Sequence, residues 1–187
     1  KLLTDAARRL ALADPERETT VTAAFQASYD QLTPELQARW VALGVFPADF
    51  DAAATAAVWK EKQGIASLIV ATFNQLILGK HQSLKDPDET LTDLYTTGLV
   101  DAVTGGRWRL HDLARDFTRT LCPPTQMDAL VYRHAAYYMN VLAEANRLYL
   151  KGNENILTGL ALFDRERTNI EAGQAWAAAH PADPAAA

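Results

Sequence analysis

The residues that could carry chemistry in this chain are few and scattered. Its 187 residues include four histidines and one cysteine, and they contain no H-E-x-x-H pair, no paired C-x-x-C and no G-x-S-x-G nucleophile elbow. A phosphate-binding loop of the type G-x-x-x-x-G-K-[ST] is also missing, because Gly79 and Lys80 have no glycine five residues before them and no hydroxyl residue after them. No catalytic set can be assembled, so we expect no enzyme activity from this chain by itself and no metal site.

The four histidines differ in their sequence surroundings. His134 lies on the apolar stripe of a long predicted helix without a second ligand at i±3 or i±4, so we expect a hydrogen-bonded core histidine. His81 and His180 are expected at the surface. His111 precedes Asp112 at a predicted helix N-terminus, where backbone N–H groups favour an anion. From the residues alone, a local hydrogen bond is the simpler role for His111, and a phosphate contact is the alternative.

Composition restricts the class of partner. Apolar residues make up 49% of the chain and charged residues 22%, with a formal net charge of -5, which is typical of a soluble globular protein. The negative charge argues against a general binder of nucleic acid or of anionic membranes. No run of 18 apolar residues exists, so no membrane-spanning helix is predicted. The single Cys122 cannot form an internal disulfide and is expected to be a small apolar filler in a cytoplasmic protein.

Apolar residues recur at helical spacing through most of the chain. Helices are predicted over residues 1–13, after Thr19 or Thr20, after Thr33, over residues 51–59, over residues 65–77, over residues 86–98, after His111, after Pro124, and over a last segment that fades near residue 180. In the helix over residues 86–98, Asp86 is the expected N-cap, Pro87 opens the first turn, and Glu89 completes a capping box. Its expected inner face is Leu91, Leu94 and Tyr95.

One segment departs from the helical period. Residues 99–103 and 107–110 are short strand-like runs, and the glycines at 105 and 106 can supply the positive φ angles that a tight hairpin requires. Strand alternation places Trp108 and Leu110 on one side and the arginines at 107 and 109 on the other. The sequence therefore predicts one β-hairpin.

The helix before this hairpin is acidic. Residues 86–98 contain four acidic side chains and neither lysine nor arginine. A helix that enters the major groove of DNA must meet phosphates with positive charge, and Arg107 with Arg109 is too little to reverse the acidic balance. We therefore expect a domain that contacts protein rather than DNA.

The order of helices, hairpin and helix favours a mainly α chain with a winged-helix domain over residues 20–121. Two longer helices over residues 122–180 are predicted to form a separate antiparallel helical hairpin, like the start of a tetratricopeptide-type array. Residues 1–19 are interpreted as the end of a preceding helical domain or a linker, and residues 181–187 as a disordered tail. No function is assigned to residues 60–85.

Three blocks of sequence occur in a fixed order between residues 27 and 177. The first is ASYDQLTPEL at 27–36, followed by LGVFP at 43–47; the second is TGLV at 97–100 with RWRLHDLARDF at 107–117; the third is FDRERTNI at 163–170 with Trp176 and Ala177. Together they resemble the winged-helix segment, with its M-H-D motif, and the start of the helical-repeat region of bacterial NB-ARC proteins. NB-ARC proteins are a branch of the STAND signalling ATPases.

The resemblance implies a nucleotide-switched regulatory module. In that family a P-loop domain ahead of this segment binds ADP or ATP, and the motif histidine, which corresponds to His111 here, contacts the β-phosphate of ADP in the closed state. Leu110 stands where the motif has methionine, and Asp112 is expected to be structural by capping the helix. The implied partners are the upstream nucleotide-binding domain and downstream helical repeats of the same protein, and the chain alone is expected to hold no cofactor.

Two other functions remain open at this point. One is a transcriptional regulator that uses the winged helix on DNA, which the acidic helix disfavours. The other is a helical scaffold that binds a peptide or a protein, in which His111 meets no ligand. The signal, the effector and the oligomeric state are not encoded in any motif of this sequence.

Overall fold

A computed structural model describes residues 15–60 and 86–181. Within them the chain is mainly α. The helices are α1 (Pro15–Asp30), α2 (Pro34–Ala42), α3 (Ala52–Trp59), α4 (Pro87–Thr96), α5 (Asp112–Leu121), α6 (Pro124–Lys151) and α7 (Glu154–Ala179), with a 3-10 turn at Leu43–Val45 and strands β1 (Asp101–Val103) and β2 (Arg107–Arg109). The expectation of a mainly α chain with one short β-hairpin and a following helical hairpin is confirmed. The helices predicted over residues 1–13 and 65–77 and the tail from residue 182 lie outside the described residues.

Side-chain caps fix the starts of three helices. Thr33 Oγ1 accepts a hydrogen bond from the Leu36 amide at 3.3 Å, and Asp51 Oδ1 accepts one from the Ala54 amide at 2.8 Å. Asp86 caps α4 in the same way, with a proline in the first turn. These contacts satisfy backbone N–H groups that have no partner inside the helix. All three caps are as the sequence predicted.

The start of α1 differs from the prediction. The helix begins at Pro15, not after Thr19 or Thr20. Proline lacks a backbone N–H and has a φ angle that suits the first turn, so it can open a helix at no cost in hydrogen bonds. Pro15 therefore marks a helix start.

The β-hairpin has the predicted form. Its strands are antiparallel, with Ala102 opposite Trp108, and Gly105 and Gly106 at the tip have φ angles of +78° and +70°. A contact that the sequence did not predict extends it: Phe50 exchanges two backbone hydrogen bonds with Trp108, at 2.9 and 2.8 Å. The segment between the 3-10 turn and α3 therefore pairs with the free edge of β2.

The exposure of two side chains near the hairpin was not predicted. Alternation placed Arg107 on the same side as Arg109, and Arg107 is only 7% exposed, because other parts of the chain cover it. Tyr95 was placed on the inner face of α4, but it is 51% exposed, while Leu91 and Leu94 are fully buried. The Tyr95 ring instead lies against the edge of Trp108, with 6.1 Å between ring centroids.

An aromatic cluster forms the centre of the core in the first part of the chain. Trp40 is fully buried, and its indole N–H donates to the carbonyl oxygen of Leu99 at 3.0 Å. The rings of Phe25, Tyr29 and Phe117 lie 6.4, 5.9 and 6.0 Å from it. The cluster joins α1, α2 and α5, and the indole hydrogen bond ties these helices to the segment that leads into β1.

The helices α6 and α7 pack tightly against each other. At Gly159 a Cβ atom would lie 2.6 Å from the carbonyl oxygen of Ala145 and 2.9 Å from the amide nitrogen of Tyr149, so only glycine allows this approach of the two backbones. The close packing continues along the pair, which makes a long antiparallel helical hairpin.

The helical hairpin shares buried core residues with the first part of the chain. Leu130, Tyr138 and Ile170 belong to the same buried core as the first part of the chain. The ring of Phe46, which follows the 3-10 turn, lies 6.4 Å from that of Tyr138. The core is thus continuous across residues 121 and 122, and a domain limit at this point stays a prediction.

The continuous core leads to a prediction about stability. Leu91→Ala removes a fully buried side chain and should lower the free energy of unfolding by about 2–5 kcal/mol, because it loses apolar burial and leaves a cavity. Chemical denaturation followed by circular dichroism measures this. The matched control is Leu157→Ala on α7, where the leucine is 74% exposed and the change should stay within about 0.5 kcal/mol. Equal losses for the two variants would contradict the core described here.

Candidate functional site

His111 lies at the N-terminus of α5 and is exposed to solvent. It is the N-cap residue, and its Nδ1 accepts a hydrogen bond from the Leu113 amide at 3.3 Å. When Nδ1 accepts, the neutral ring carries its proton on Nε2. Within residues 15–60 and 86–181, Nε2 has no hydrogen-bond partner. The local hydrogen bond therefore leaves one ring nitrogen unused within these residues, and the two roles considered for this histidine are compatible.

The backbone on both sides of His111 is anchored. Leu110 is 2% exposed and packs in the core, and β2 ends one residue before it. On the other side, the His111 carbonyl accepts the first hydrogen bond of α5, from the Arg115 amide at 2.9 Å. The position of the ring is thus set by a strand, a buried side chain and a helix start.

Asp112 does not cap α5, contrary to the sequence prediction. It is the first helical residue, its side chain is 79% exposed, and the cap is His111. Its Oδ1 accepts a hydrogen bond from Arg115 Nη2 at 2.7 Å, and Arg115 Nη1 donates to the carbonyl oxygen of Pro47 at 3.1 Å. Asp112 therefore orients an arginine that contacts the segment before α3, although an exposed pair of this kind adds little stability.

Behind the hairpin lies a buried polar network that the sequence did not predict. It consists of Asp49, Arg107, His134, Glu166 and Asn169. Its members come from the segment before α3, from β2, from α6 and from α7. The network is the meeting point of the β-hairpin and the helical hairpin.

Arg107 is the centre of this network. Its Nη1 and Nη2 donate to the two carboxylate oxygens of Glu166 at 2.6 and 2.9 Å, and its Nε and Nη2 donate to the side chain and the carbonyl oxygen of Asp49 at 2.8 Å each. Burial by itself lowers the pKa of Arg107, but the hydrogen bonds and charges of Glu166 and Asp49 outweigh it, so its pKa lies above the ordinary value. Four of the five N–H donors of an arginine are used here, so the buried charge is well compensated.

Asn169 extends the network to α6. Its amide nitrogen donates to the Asp49 carbonyl at 2.9 Å, and its Oδ1 lies 3.4 Å from His134 Nε2. Because an amide oxygen can only accept, His134 Nε2 is the donor. His134 is 2% exposed, and burial lowers its pKa to about 4, although the hydrogen bond that it donates to Asn169 opposes this. The lowered pKa favours the neutral ring at neutral pH. The prediction of a hydrogen-bonded core histidine is confirmed.

The signal for this network was present in the sequence but could not be interpreted locally. Glu166 and Asn169 lie three positions apart, which places them on one face of a helix, and they belong to the third sequence block. Arg107 alternates with Trp108 in a strand, and alternation alone does not say what covers the side on which Arg107 lies. Only the fold brings α7 to that side.

The remaining candidate residues have simple roles. Cys122 is a buried free thiol, and burial raises its pKa, in keeping with the expected filler. His180 is exposed, as predicted, and stacks on Trp176 at 4.7 Å between ring centroids. His81 lies outside the described residues.

Other chemistry is sparse in the part of the chain that the structure describes. Residues 15–60 and 86–181 contain no group of three His, Cys, Asp or Glu side chains that could hold a metal ion. None of the helices in these two ranges combines the length and the apolar character that crossing a membrane requires.

Comparison with known proteins gives no relative. No protein-family model matches the chain, and no curated protein and no solved structure matches it either. The resemblance to NB-ARC proteins therefore remains a prediction from the three sequence blocks.

The neutral His134 leads to a prediction about pH. Its pKa is about 4 in the folded chain, against an ordinary value of 6.5. Between these values the unfolded chain binds a proton that the folded chain does not, so stability is highest above pH 6.5 and falls as the pH drops toward 4. The loss attributable to this residue should be on the order of 3 kcal/mol.

The measurement compares urea unfolding of the wild type and of His134→Gln between pH 4 and pH 7. The wild type should lose more free energy of unfolding on acidification than the variant, because glutamine has no proton to bind. His180→Gln, at an exposed histidine, should keep the wild-type pH profile. Parallel profiles for the wild type and His134→Gln would show that His134 does not contribute.

Proposed function

We propose that this chain is the regulatory and relay module of a nucleotide-switched signalling ATPase of the NB-ARC type. In this proposal an upstream P-loop domain of the same protein binds ADP, and His111 donates a hydrogen bond from Nε2 to the β-phosphate. The helical hairpin then passes the nucleotide state to downstream repeats or to an effector. The observation that carries the proposal is an exposed histidine at the start of a ten-residue helix, whose Nε2 has no hydrogen-bond partner among residues 15–60 and 86–181.

The order of elements around His111 supports a winged-helix domain. Helices α2, α3 and α4 precede the β-hairpin, and α5 follows it. The backbone pairing of Phe50 with Trp108 adds a short third strand segment between α2 and α3. In this arrangement the hairpin is the wing, and His111 lies where the wing meets the next helix.

The chemistry around His111 suits a phosphate. The N-terminus of α5 presents backbone N–H groups and the positive end of the helix dipole. Arg109 is exposed two positions before His111, and alternate residues of an extended segment lie on the same side. The one negative group in the first turn, Asp112, is already paired with Arg115. An anion delivered by a neighbouring domain would thus meet a donor, a cation and a helix N-terminus.

A helical scaffold for protein partners is a second candidate, and one observation favours it. Large apolar side chains are exposed near the turn that joins α6 to α7, namely Tyr149, Leu150, Ile156, Leu157 and Leu160. Exposed apolar side chains in one region are typical of contact surfaces. This candidate assigns no ligand to His111. Titration of ADP against a longer chain that includes the proposed upstream P-loop domain separates it from the nucleotide-switch candidate.

The nucleotide proposal predicts the effect of removing the His111 ring. In the full-length protein, His111→Ala should reduce ADP retention by about 10-fold or more, because a charge-assisted hydrogen bond to a phosphate contributes about 1.5–3 kcal/mol. Basal signalling activity should rise, since ADP contacts hold the closed state. The bound nucleotide is quantified by chromatography after purification.

His180→Ala is the matched control. It removes an exposed histidine that contacts only its own helix within the described residues, and it should leave ADP occupancy unchanged. Unchanged ADP occupancy in His111→Ala would refute the phosphate contact.

The proposal also predicts that duplex DNA is not bound. The first turn of α4 carries Asp88 and Glu89, both exposed, and like charge repels phosphates. An electrophoretic mobility shift at low salt should show no complex of this chain with DNA. A salt-dependent shift that weakens in Arg109→Gln would instead support a transcriptional regulator.

A further inference from the structure

One buried ion pair directly joins the β-hairpin to α7. Arg107 Nη1 and Glu166 Oε1 are 2.6 Å apart, and the two side chains are 8% and 5% exposed. A second parallel hydrogen bond, from Nη2 to Oε2 at 2.9 Å, makes the pair bidentate. Bidentate geometry fixes the relative orientation of the two elements as well as their distance.

Among residues 15–60 and 86–181, helix α7 has few other attachments to the first part of the chain. In these ranges it packs extensively on α6 alone. Beyond that, Ile170 reaches the core, Glu166 binds Arg107, and Asn169 donates to the Asp49 carbonyl at 2.9 Å. The polar contacts of two neighbouring turns of α7 are therefore its specific link to the hairpin and to the segment beside it.

A short and rigid path leads from this ion pair to His111. Arg107 lies in β2, which is hydrogen-bonded on one edge to β1 and at Trp108 to Phe50. Leu110 follows and is buried, and His111 comes next as the N-cap of α5. A displacement of β2 would therefore have to move His111 as well.

We propose that the Arg107–Glu166 ion pair is the contact through which α7 holds the β-hairpin in place and thereby positions His111. Opening of this ion pair is the step that lets the helical hairpin and His111 change position together. Arg107 and Glu166 are positioning residues in this scheme, since neither touches the proposed phosphate. The inference deepens the proposed function by naming the route between nucleotide and helical hairpin.

The physical basis is the cost of a buried charge without a partner. If the Glu166 carboxylate moves away, the only carboxylate still bound to Arg107 among the described residues is that of Asp49, whose side chain is 32% exposed. The guanidinium must then reach water, and β2 has to move to allow this. Intermediate positions are unfavourable, so the contact has two states: closed and dry, or open and hydrated.

The test uses hydrogen–deuterium exchange of the 187-residue chain with Glu166→Gln, which keeps the shape and removes the charge. We expect exchange to become about tenfold faster, or more, in β1, β2 and at the Leu113 amide, because these depend on local opening of the hairpin. The backbone amides of α2, the helix that carries Trp40 of the aromatic cluster, should keep their wild-type protection against exchange. Arg165→Gln is the control, because Arg165 touches Glu166 from the surface at 3.0 Å and leaves the buried pair intact.

Two outcomes would overturn the inference. Unchanged exchange in the hairpin would show that Glu166 does not hold it, and an equal loss of protection throughout the chain would show that the pair supports only global stability. If Glu166→Gln does not fold, Arg107→Lys serves instead, because lysine keeps the charge but cannot make the bidentate contact. The same two results count against the inference for that variant.

The full-length protein separates this inference from the proposed function. Glu166→Gln should lower ADP retention in the full-length protein, although Glu166 is far from His111 in the sequence and is buried behind the hairpin. If His111→Ala leaves ADP unchanged while the exchange experiment gives local opening, the nucleotide proposal fails and the ion-pair inference stands. If His111→Ala releases ADP but Glu166→Gln leaves both exchange and ADP unchanged, the reverse holds.

Discussion

The compensation of one buried guanidinium constrains the arrangement of this molecule. Arg107 can stay charged out of water only where carboxylates and a carbonyl oxygen surround it, and these come from Asp49 and Glu166. The two residues lie 58 and 59 positions away in the chain. The β-hairpin, the segment before α3 and α7 must therefore meet at one place. Apolar burial drives compaction without direction, whereas these hydrogen bonds require one register.

This constraint explains why two histidines on similar helical stretches behave differently. His134 lies inside the network region, where its ring packs 5.3 Å from that of Phe46 and its single donor contacts Asn169. Burial lowers its pKa and favours the neutral ring. His111 follows the same strand that carries Arg107, but it leaves the core with the start of α5. Within residues 15–60 and 86–181 its Nε2 has no hydrogen-bond partner, which is why we propose this nitrogen as the donor to a phosphate.

Local sequence determined the boundaries and turns of the structure. The caps at Thr33, Asp51 and Asp86 depend on side chains that contact amides two or three residues away, so the pattern of residue types is sufficient. The paired glycines in the hairpin tip supply φ angles that other residues rarely adopt. His134 could be assigned to the core because helical spacing alone placed it among apolar residues. In each case the interacting groups are close in the sequence.

Only the tertiary structure decided that Arg107, Glu166 and Asn169 are buried. Alternation in β2 predicts on which side of the strand Arg107 lies, but not what covers that side. Helical spacing predicts that Tyr95 faces inward, whereas its ring is exposed and contacts the ring of Trp108. Asn169 and the Asp49 carbonyl lie 120 residues apart, so no local pattern relates them. The continuity of the core across residues 121 and 122 has the same origin. Long-range packing determines solvent access, and solvent access determines whether a charge is a surface group or a structural contact.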